Sequence, residues 1–263
     1  MFFVCHWMTK RGRPLVALSS AECYTRTMDA RQSKLLVAII DQFIETALPV
    51  GSKRLLEAGE FCCSSATLRS EMARLEDEGF LQQPHVSAGR VPTAEGYRMY
   101  VRDYLEPSRN EIVVRKRFES LKEHYFKRKD QERVYEAVSM LVHMMPNVAF
   151  AKVPHKSLVY YLGLSNVLKQ PEFQEDPGLV SGVAEVLEEH LSTILDCIEI
   201  DDKVRYYIGD EHLLPQIPSC SLIVTEYVVR GQKGVIGILG PMRMDYAYNT
   251  VALELAVDLL RAH

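Results

Sequence analysis

The stretch that decides the fold runs from residue 49 to residue 97 and contains PVGSK (49–53), SSATLRSEMARLEDEG (64–79) and QPHVSAGRVPT (83–93). Apolar residues recur at helical spacing in the second segment, and prolines bound a glycine-containing turn in the third. Helix, turn, helix and hairpin in this order are typical of a winged helix, whose second helix enters the DNA major groove while the hairpin grips the flanking DNA. These residues therefore predict a DNA-binding domain.

Three helices are expected in this part of the chain. An apolar stripe at helical spacing predicts the first over residues 31–46. The stripe consists of Leu35, Leu36, Ile39, Ile40, Phe43 and Ile44. Ser52 is a good N-cap for a short second helix over residues 53–58, and the third begins after Ser64 or Ser65. In the third helix Leu68, Met72 and Leu75 fall on one side, which must face the core.

The opposite side of the third helix is the candidate reading surface. Small side chains at its centre let the helix axis approach a groove floor, while flanking arginines reach guanine edges or phosphates. The predicted DNA-binding residues of this helix are Ser65, Ala66, Thr67, Arg69, Ser70 and Arg74. The alternative is a solvated face whose arginines only balance neighbouring carboxylates. The preceding helix, the turn and the wing favour recognition.

The wing should consist of strands near residues 80–83 and 90–92, with residues 87–89 at the tip. Prolines at 84 and 92 lack an N–H group and confine these strands to an edge. His85, Ser87 and Arg90 are the candidate DNA contacts of the wing. For His85, a turn residue that bonds its own backbone is an equally good interpretation.

Residues 49–97 closely resemble the N-terminal domain of the HrcA-type heat-inducible transcription repressors. Two later segments, YLGLSNVLKQPEF (161–173) and GPMRMDY (240–246), fit the same family in the same order. The resemblance implies a bacterial repressor that binds an inverted-repeat operator in double-stranded DNA upstream of chaperone genes. It also implies a GAF-like C-terminal domain and an activity supported by the GroEL-type chaperonin.

The expected fold class is α+β, with a winged helix-turn-helix domain followed by a GAF-like α+β domain with an antiparallel sheet. We place the first domain at residues 29–106, a basic linker at 107–130 and the GAF-like regulatory and dimerisation domain at 131–263. Residues 1–28 are expected to be a disordered extension. In the second domain, helices are predicted over 131–145, 179–195 and 248–261. Strands are predicted over 148–153, 158–162, 204–208, 221–229 and 234–239.

The chain departs from its family at one place. HrcA-type repressors usually carry a dimerising domain inserted in the GAF-like domain, but only a few residues separate Lys152 from Val159 here. We therefore do not transfer insert-mediated dimerisation, and chaperonin control stays open. A homodimer is still expected, because two-fold pairing matches an inverted repeat. The pairing surface should come from the GAF-like helices or from residues 109–145.

The charge pattern is unusual for a DNA-binding protein. The chain has a net charge of −4. Residues 29–105 carry nine Lys and Arg against eleven Asp and Glu, so either positive charge is concentrated on one face or the overall field contributes little to binding. Residues 109–129 are strongly basic, with eight Lys and Arg against three Glu. This segment could follow operator phosphates or lead a linker helix between subunits. A solvated connector is the simpler interpretation.

Other classes of protein find little support. The six cysteines show no zinc-ligand spacing and fit reduced thiols in the cytoplasm. The run LVAL (15–18) is too short for a secretory signal, and no run reaches transmembrane length. Glycines near residues 231–240 form no nucleotide-binding fingerprint, and no catalytic set has a recognisable signature. We expect no enzymatic activity, no cofactor, no metal and no membrane. A ligand-sensing regulator, with a small molecule in the GAF-like domain, is the alternative function.

Overall fold

The computed structural model describes residues 28–125, 130–154, 159–229 and 231–261. The predicted N-terminal extension therefore lies outside the described residues, apart from Met28. The described chain folds into a small helical domain with a two-stranded hairpin, followed by a domain built on a five-stranded sheet. This architecture confirms the predicted α+β class.

The first domain contains four helices and two short strands: α1 (Ala30–Thr46), α2 (Ser52–Glu57), α3 (Ser65–Asp77), β1 (Leu81–Gln82), β2 (Val91–Pro92) and α4 (Ala94–Met99). A π-helical turn, Tyr100–Tyr104, continues α4. Asp29 caps α1 by accepting from two backbone N–H groups, and α1 ends where Ala47 adopts a left-handed conformation. The predicted first and third helices are confirmed. The sequence reasoning missed α4, which Thr93 caps.

One predicted cap was wrong. Ser52 lies inside α2, whose N-cap is Gly51, and no side chain bonds the first turn. The Ser52 hydroxyl instead bonds the Ser65 hydroxyl at 2.9 Å, at the start of α3. Ser52 therefore joins the two helices of the helix-turn-helix unit, because its partner lies across the turn and not in its own helix.

The second domain begins with α5 (Glu111–Tyr125) and α6 (Asp130–Met144), after a 3-10 turn at Pro107–Arg109. Its remaining helices are α7 (Leu164–Val167), α8 (Pro171–Glu175), α9 (Pro177–Glu185), α10 (Leu191–Leu195) and α11 (Tyr246–Arg261). Its strands are β3 (Val148–Lys152), β4 (Val159–Leu162), β5 (Arg205–Ile208), β6 (Cys220–Val229) and β7 (Gln232–Pro241). A π-helical segment, Val186–His190, joins α9 to α10, so the helix predicted over 179–195 is continuous.

All pairs in the sheet are antiparallel, in the order β4-β3-β7-β6-β5. Residues alternate between its two faces, as the period of a strand requires. On β6, Ile223 and Tyr227 face the cluster that contains α5, α6 and α11, whereas Leu222 and Val224 face α7 to α10. The sheet therefore has a helical layer on each face.

The segment predicted as a basic linker is largely a packed helix. In α5, Val114 and Phe118 are buried, and the helix packs on α6 and α11. Two of its basic side chains pair with carboxylates of the same helix, Arg115 with Glu111 and Lys122 with Glu119. The basic residues at 127–129 lie outside the described residues. This part of the predicted linker thus belongs to the helical layer of the second domain.

The connection between β3 and β4 is too short to contain the domain that the family usually carries as an insert. Lys152 pairs with Val159 in the antiparallel register, so residues 153–158 only connect two neighbouring strands. A six-residue connection has the length of a hairpin loop and not of a domain.

A single buried apolar cluster runs through both domains. It extends from the core of the first domain, through Tyr97 on α4, to the sheet and α11 of the second. Tyr97 and Tyr246 meet there, with ring centroids 6.0 Å apart. Both side chains are almost fully buried. The two domains are therefore joined by core packing, and we call this junction the seam.

Asp41 and Asp103, two aspartates of the first domain, should make contributions to stability that depend on pH in opposite ways. Partial removal from water raises the pKa of Asp41 above its ordinary 3.8, whereas the Arg102 hydrogen bond lowers the pKa of Asp103. The stability associated with Asp41 is present at low pH and lost as pH rises above 3.8 through the raised pKa. That associated with Asp103 is present above 3.8 and lost as pH falls through the lowered pKa.

We therefore expect Asp41→Asn to melt higher than the parent at pH 7, because an amide keeps the Tyr100 hydrogen bond without a charge. Asp103→Asn should melt lower at pH 7, by less than about 1 kcal/mol for a largely exposed pair. Thermal melts between pH 3 and 8 measure both differences, and each should shrink as pH falls below 3.8. Differences of the same sign for the two variants would contradict this assignment.

Candidate nucleic-acid interface

The exposed face of α3 is built as the periodicity predicts. Leu68, Met72 and Leu75 are buried and hold the helix on the core. Four of the predicted reading residues are exposed, namely Ala66, Arg69, Ser70 and Arg74. The centre of this face carries only small side chains between the two arginines. A helix with this profile can lie deep in a major groove.

The start of α3 is held by hydroxyl groups. The Ser64 side chain accepts from the Thr67 N–H at 3.1 Å and contacts the Thr67 hydroxyl at 2.8 Å. Ser65 and Thr67 are half-buried. The structure thus gives these two predicted DNA contacts a local role as well, in the cap of α3 and in its contact with α2.

The two arginines of α3 are presented differently. Arg69 donates to the hydroxyls of Ser52 and Ser65, at 3.3 Å in each case, so its guanidinium is oriented without losing its charge. Arg74 is exposed, and no partner for it is found within the described part of the chain. Both cations are therefore available to an anionic partner.

Some arginines of the first domain are paired with carboxylates and others are not. Among the described residues, ion pairs engage Arg31 with Glu71, Arg90 with Glu76, and Arg102 with Asp103. No carboxylate partner is found there for Arg54, Arg69 or Arg74. These three arginines lie on the helix-turn-helix unit. Three basic side chains of this unit are thus left without a carboxylate partner among the described residues.

The wing is shorter than predicted and its turn lies earlier. Its strands contain two residues each, and the exposed tip contains His85, Val86 and Ser87. Ser87, not the glycine, adopts the left-handed conformation, with φ of 70°. Gly89 is instead pressed against the Val50 backbone, where an added Cβ would lie 2.4 Å from the carbonyl. The glycine is needed for close approach, which the sequence pattern alone did not distinguish from a turn.

Arg90 is turned toward α3. Its Nε lies 2.8 Å from a Glu76 carboxylate oxygen, and its side chain is only 17% exposed. The two groups form an ion pair without the alignment of a hydrogen bond. The other Glu76 oxygen accepts from the Gln83 N–H at 3.2 Å. Glu76, which the sequence reasoning missed, therefore ties both sides of the wing to α3.

The second domain offers little room for a small molecule between its layers. Gly234 lies against the Tyr227 ring and Gly237 against the Phe150 ring, where added Cβ atoms would lie 2.4 and 2.5 Å from ring atoms. Both sheet faces are thus filled by side chains at these points. A cavity of about 340 Å³ lies instead at the seam, between Asp41, Tyr100, Arg109 and Asp245. This arrangement does not favour a ligand sensor with its site in the GAF-like domain.

The described residues contain neither a candidate metal site nor a candidate membrane span. No group of three or more His, Cys, Asp or Glu side chains there is placed to hold a metal ion. Within the same ranges, no helix combines the length and the apolar composition needed to cross a membrane.

Comparison with known proteins points to one family. The family model of the HrcA protein C-terminal domain matches residues 103–249, which is more than half of the chain. A heat-inducible transcription repressor HrcA from Brevibacillus brevis is 28% identical, covering 88% of this chain and 96% of the relative. One from Desulforamulus reducens is 28% identical, covering 84% and 92%.

The length of the alignment with the Brevibacillus protein indicates how much of that relative is missing from this chain. It spans 331 residues, although 88% of this chain is only about 231 residues. About 100 aligned positions of that relative therefore face gaps here. This length fits the predicted absence of an inserted domain.

A solved structure supports the fold. The crystal structure of a hypothetical protein superposes with a TM-score of 0.72, covering 89% of this chain and 97% of its own. At 17% identity the likeness concerns the fold alone.

Two variants separate the possible roles of Arg90 at the wing. If its guanidinium binds a phosphate, Arg90→Ala should weaken binding to specific and random DNA alike and reduce the salt slope by about 0.9. Glu76→Gln should then strengthen binding, because it releases the arginine and removes a carboxylate from the interface. Titrations at several salt concentrations measure both effects.

If Arg90 only anchors the wing, Glu76→Gln should weaken DNA binding as Arg90→Ala does. Arg102→Ala is the matched control, since it removes an equal charge from an exposed ion pair of the same domain. An unchanged salt slope in Arg90→Ala would place Arg90 outside the interface.

Proposed function

The chain belongs to the HrcA family, and on this basis we propose that it is a heat-inducible transcription repressor that binds an inverted-repeat operator upstream of chaperone genes. The observation that carries the proposal is the exposed face of α3, where Ala66 and Ser70 lie between two arginines without carboxylate partners. Its relatives are named as transcription repressors, which is not an enzymatic role. A cytoplasmic location follows from this function.

In this proposal α3 is the recognition helix. Arg69 and Arg74 read guanine edges or hold phosphates, Ser65, Thr67 and Ser70 contact bases or the backbone, and Ala66 faces a thymine methyl. The wing adds His85 and Ser87 at its exposed tip, and Arg90 near its base. Val86 is 90% exposed beside them, so an apolar contact in the flanking groove is also available.

The basic test is a mobility-shift titration against an inverted-repeat promoter fragment, with a scrambled fragment as control. Strong preference for the inverted repeat supports the repressor function. Equal binding to both fragments would contradict it. A thermal shift with a metabolite but no preference between the fragments would favour the ligand-sensing alternative.

The GroEL-type chaperonin is proposed as a partner on the family resemblance alone. Adding the chaperonin to the titration should increase the fraction of protein that binds the operator. An unchanged titration would remove the chaperonin from the proposal.

A homodimer is the proposed binding state. The residues that support it are Ile112 and Val113 on α5, which are 83% and 64% exposed. They lie within the 109–145 region from which a pairing surface was expected. Adjacent exposed apolar residues at a two-fold axis can bury each other in an isologous contact.

Base readout gives a direct prediction. Arg69→Ala and Arg74→Ala should each cost about 1–3 kcal/mol on operator DNA and less on random DNA. Thr67→Ala and Ser70→Ala should cost less than either. Arg102→Ala again serves as the control of equal charge and should leave the preference for operator DNA unchanged. Equal losses of binding free energy on operator and random DNA would indicate that these arginines contact phosphates and not bases.

The dimer surface gives a second prediction. A double variant, Ile112→Glu with Val113→Glu, should shift the protein to a monomer in light scattering and weaken operator binding, because carboxylates at a paired apolar surface lose their water. Leu213→Glu is the control, an exposed leucine on a different surface element. A parent protein that is monomeric and binds the intact operator with one-to-one stoichiometry would contradict the dimer.

A further inference from the structure

The two late segments that resemble the family meet at the seam. Arg243, between β7 and α11, forms an ion pair with Glu172 of α8, with Nε 2.6 Å and Nη2 3.3 Å from its two carboxylate oxygens. The same Nη2 lies 3.3 Å from the Gln170 side-chain oxygen. Arg243 is only 14% exposed. We call these three residues the Arg243 cluster.

The third guanidinium nitrogen of Arg243 contacts the DNA-binding domain. Its Nη1 donates to the Ile44 carbonyl at 2.8 Å. Ile44 lies in the last turn of α1, where carbonyls have no partner within the helix. That turn contains no basic residue, so the cation at the negative end of α1 comes from the other domain.

The cluster is itself firmly supported. Gln170 donates to the Pro146 carbonyl at 2.5 Å and to the Asn147 side-chain oxygen at 3.4 Å. Gly240 leaves room for that asparagine, since an added Cβ would lie 2.3 Å from its side-chain oxygen. The guanidinium is thus held by groups of the GAF-like domain whose own positions are fixed.

A second attachment lies on α4. Arg98 donates to the Ile208 carbonyl at 3.0 Å and pairs with Glu211 at 3.0 Å. Tyr97 packs against Tyr246 beside it. The DNA-binding domain is therefore held through α4 and, separately, through the end of α1. Two separate attachments restrict the rotation of one domain against the other more than the seam alone does.

We propose that Arg243 is a positioning residue that fixes the angle of α1, and with it α3, relative to the GAF-like domain. In a dimer this angle sets the distance and direction between the two recognition helices. The Arg243 cluster thereby selects the half-site separation of the operator, which for helix-turn-helix dimers corresponds to whole turns of DNA. This inference rests on the proposed function of an inverted-repeat-binding dimer.

The test compares operators that differ only in spacer length, together with a duplex carrying one half-site. The parent protein should bind the native spacing best. Arg243→Ala should bind the native spacing about tenfold more weakly and discriminate less between spacers, while its affinity for the single half-site changes by less than about twofold. Arg243→Lys keeps the charge but loses the planar fork, so it should fall between the two.

Arg205→Ala is the matched control. Arg205 also pairs with two carboxylates, Glu199 and Asp201, and both of these partners lie in the GAF-like domain. This variant should keep the spacing preference of the parent. Equal weakening of Arg243→Ala on every duplex, the single half-site included, would reduce Arg243 to a stabilising residue and overturn the proposal, as would an unchanged spacing preference.

A measurement without DNA tests the positioning separately from the proposed function. Spin labels on Cys62 and Cys197, which are exposed on different domains, report the interdomain distance when the other cysteines are replaced. The parent should give a narrow distribution and Arg243→Ala a clearly broader one, with circular dichroism confirming that both are folded. A broad distribution only in the variant, combined with no operator binding by the parent, would refute the repressor function and keep the positioning. Equal widths would refute the positioning.

Discussion

The packing of Tyr97 against Tyr246 is the contact on which the arrangement of the molecule depends. Tyr97 belongs to the helix that follows the wing, and Tyr246 starts the last helix of the second domain. Because both rings are nearly excluded from water, neither domain can move away without exposing them. The Tyr246 hydroxyl also bonds Ser221 and the Met242 carbonyl, so the ring is held in place from its own side. The orientation of the first domain, α3 included, is therefore tied to the core of the second domain.

Much of the fold could be predicted from local patterns. The stripe of α1, the buried side of α3 and the hairpin of β6 and β7 are periodic in the sequence, and each formed near the predicted residues. Two residues were misassigned because their roles depend on partners that are distant in the sequence. Ser52 resembles a cap until Ser65 is brought beside it, and Gly89 resembles a turn residue until Val50 approaches it.

In the candidate site, too, some features could be predicted from local patterns and others depend on distant partners. The exposed residues of α3 followed from spacing, because helical periodicity alone decides which side chains point away from the core. The roles of Glu76 and Arg243 could not be predicted from spacing, because each depends on a partner from another element. Glu76 contacts the wing, and Arg243 contacts the end of α1. The segment GPMRMDY, which contains Arg243, was singled out in the sequence only by its resemblance to the family.

The balance of charge explains why rigidity matters here. A domain with more acidic than basic residues gains little from general attraction to phosphates, so we expect its non-specific affinity for DNA to be low. In the proposed repressor, affinity must then come from base contacts of α3 and from the simultaneous engagement of two half-sites. Simultaneous engagement contributes fully only when the two recognition helices are held at the correct separation. The apolar packing and the ion pairs at the seam supply that constraint, and the short β3–β4 connection leaves dimer geometry to the remaining surfaces of the chain.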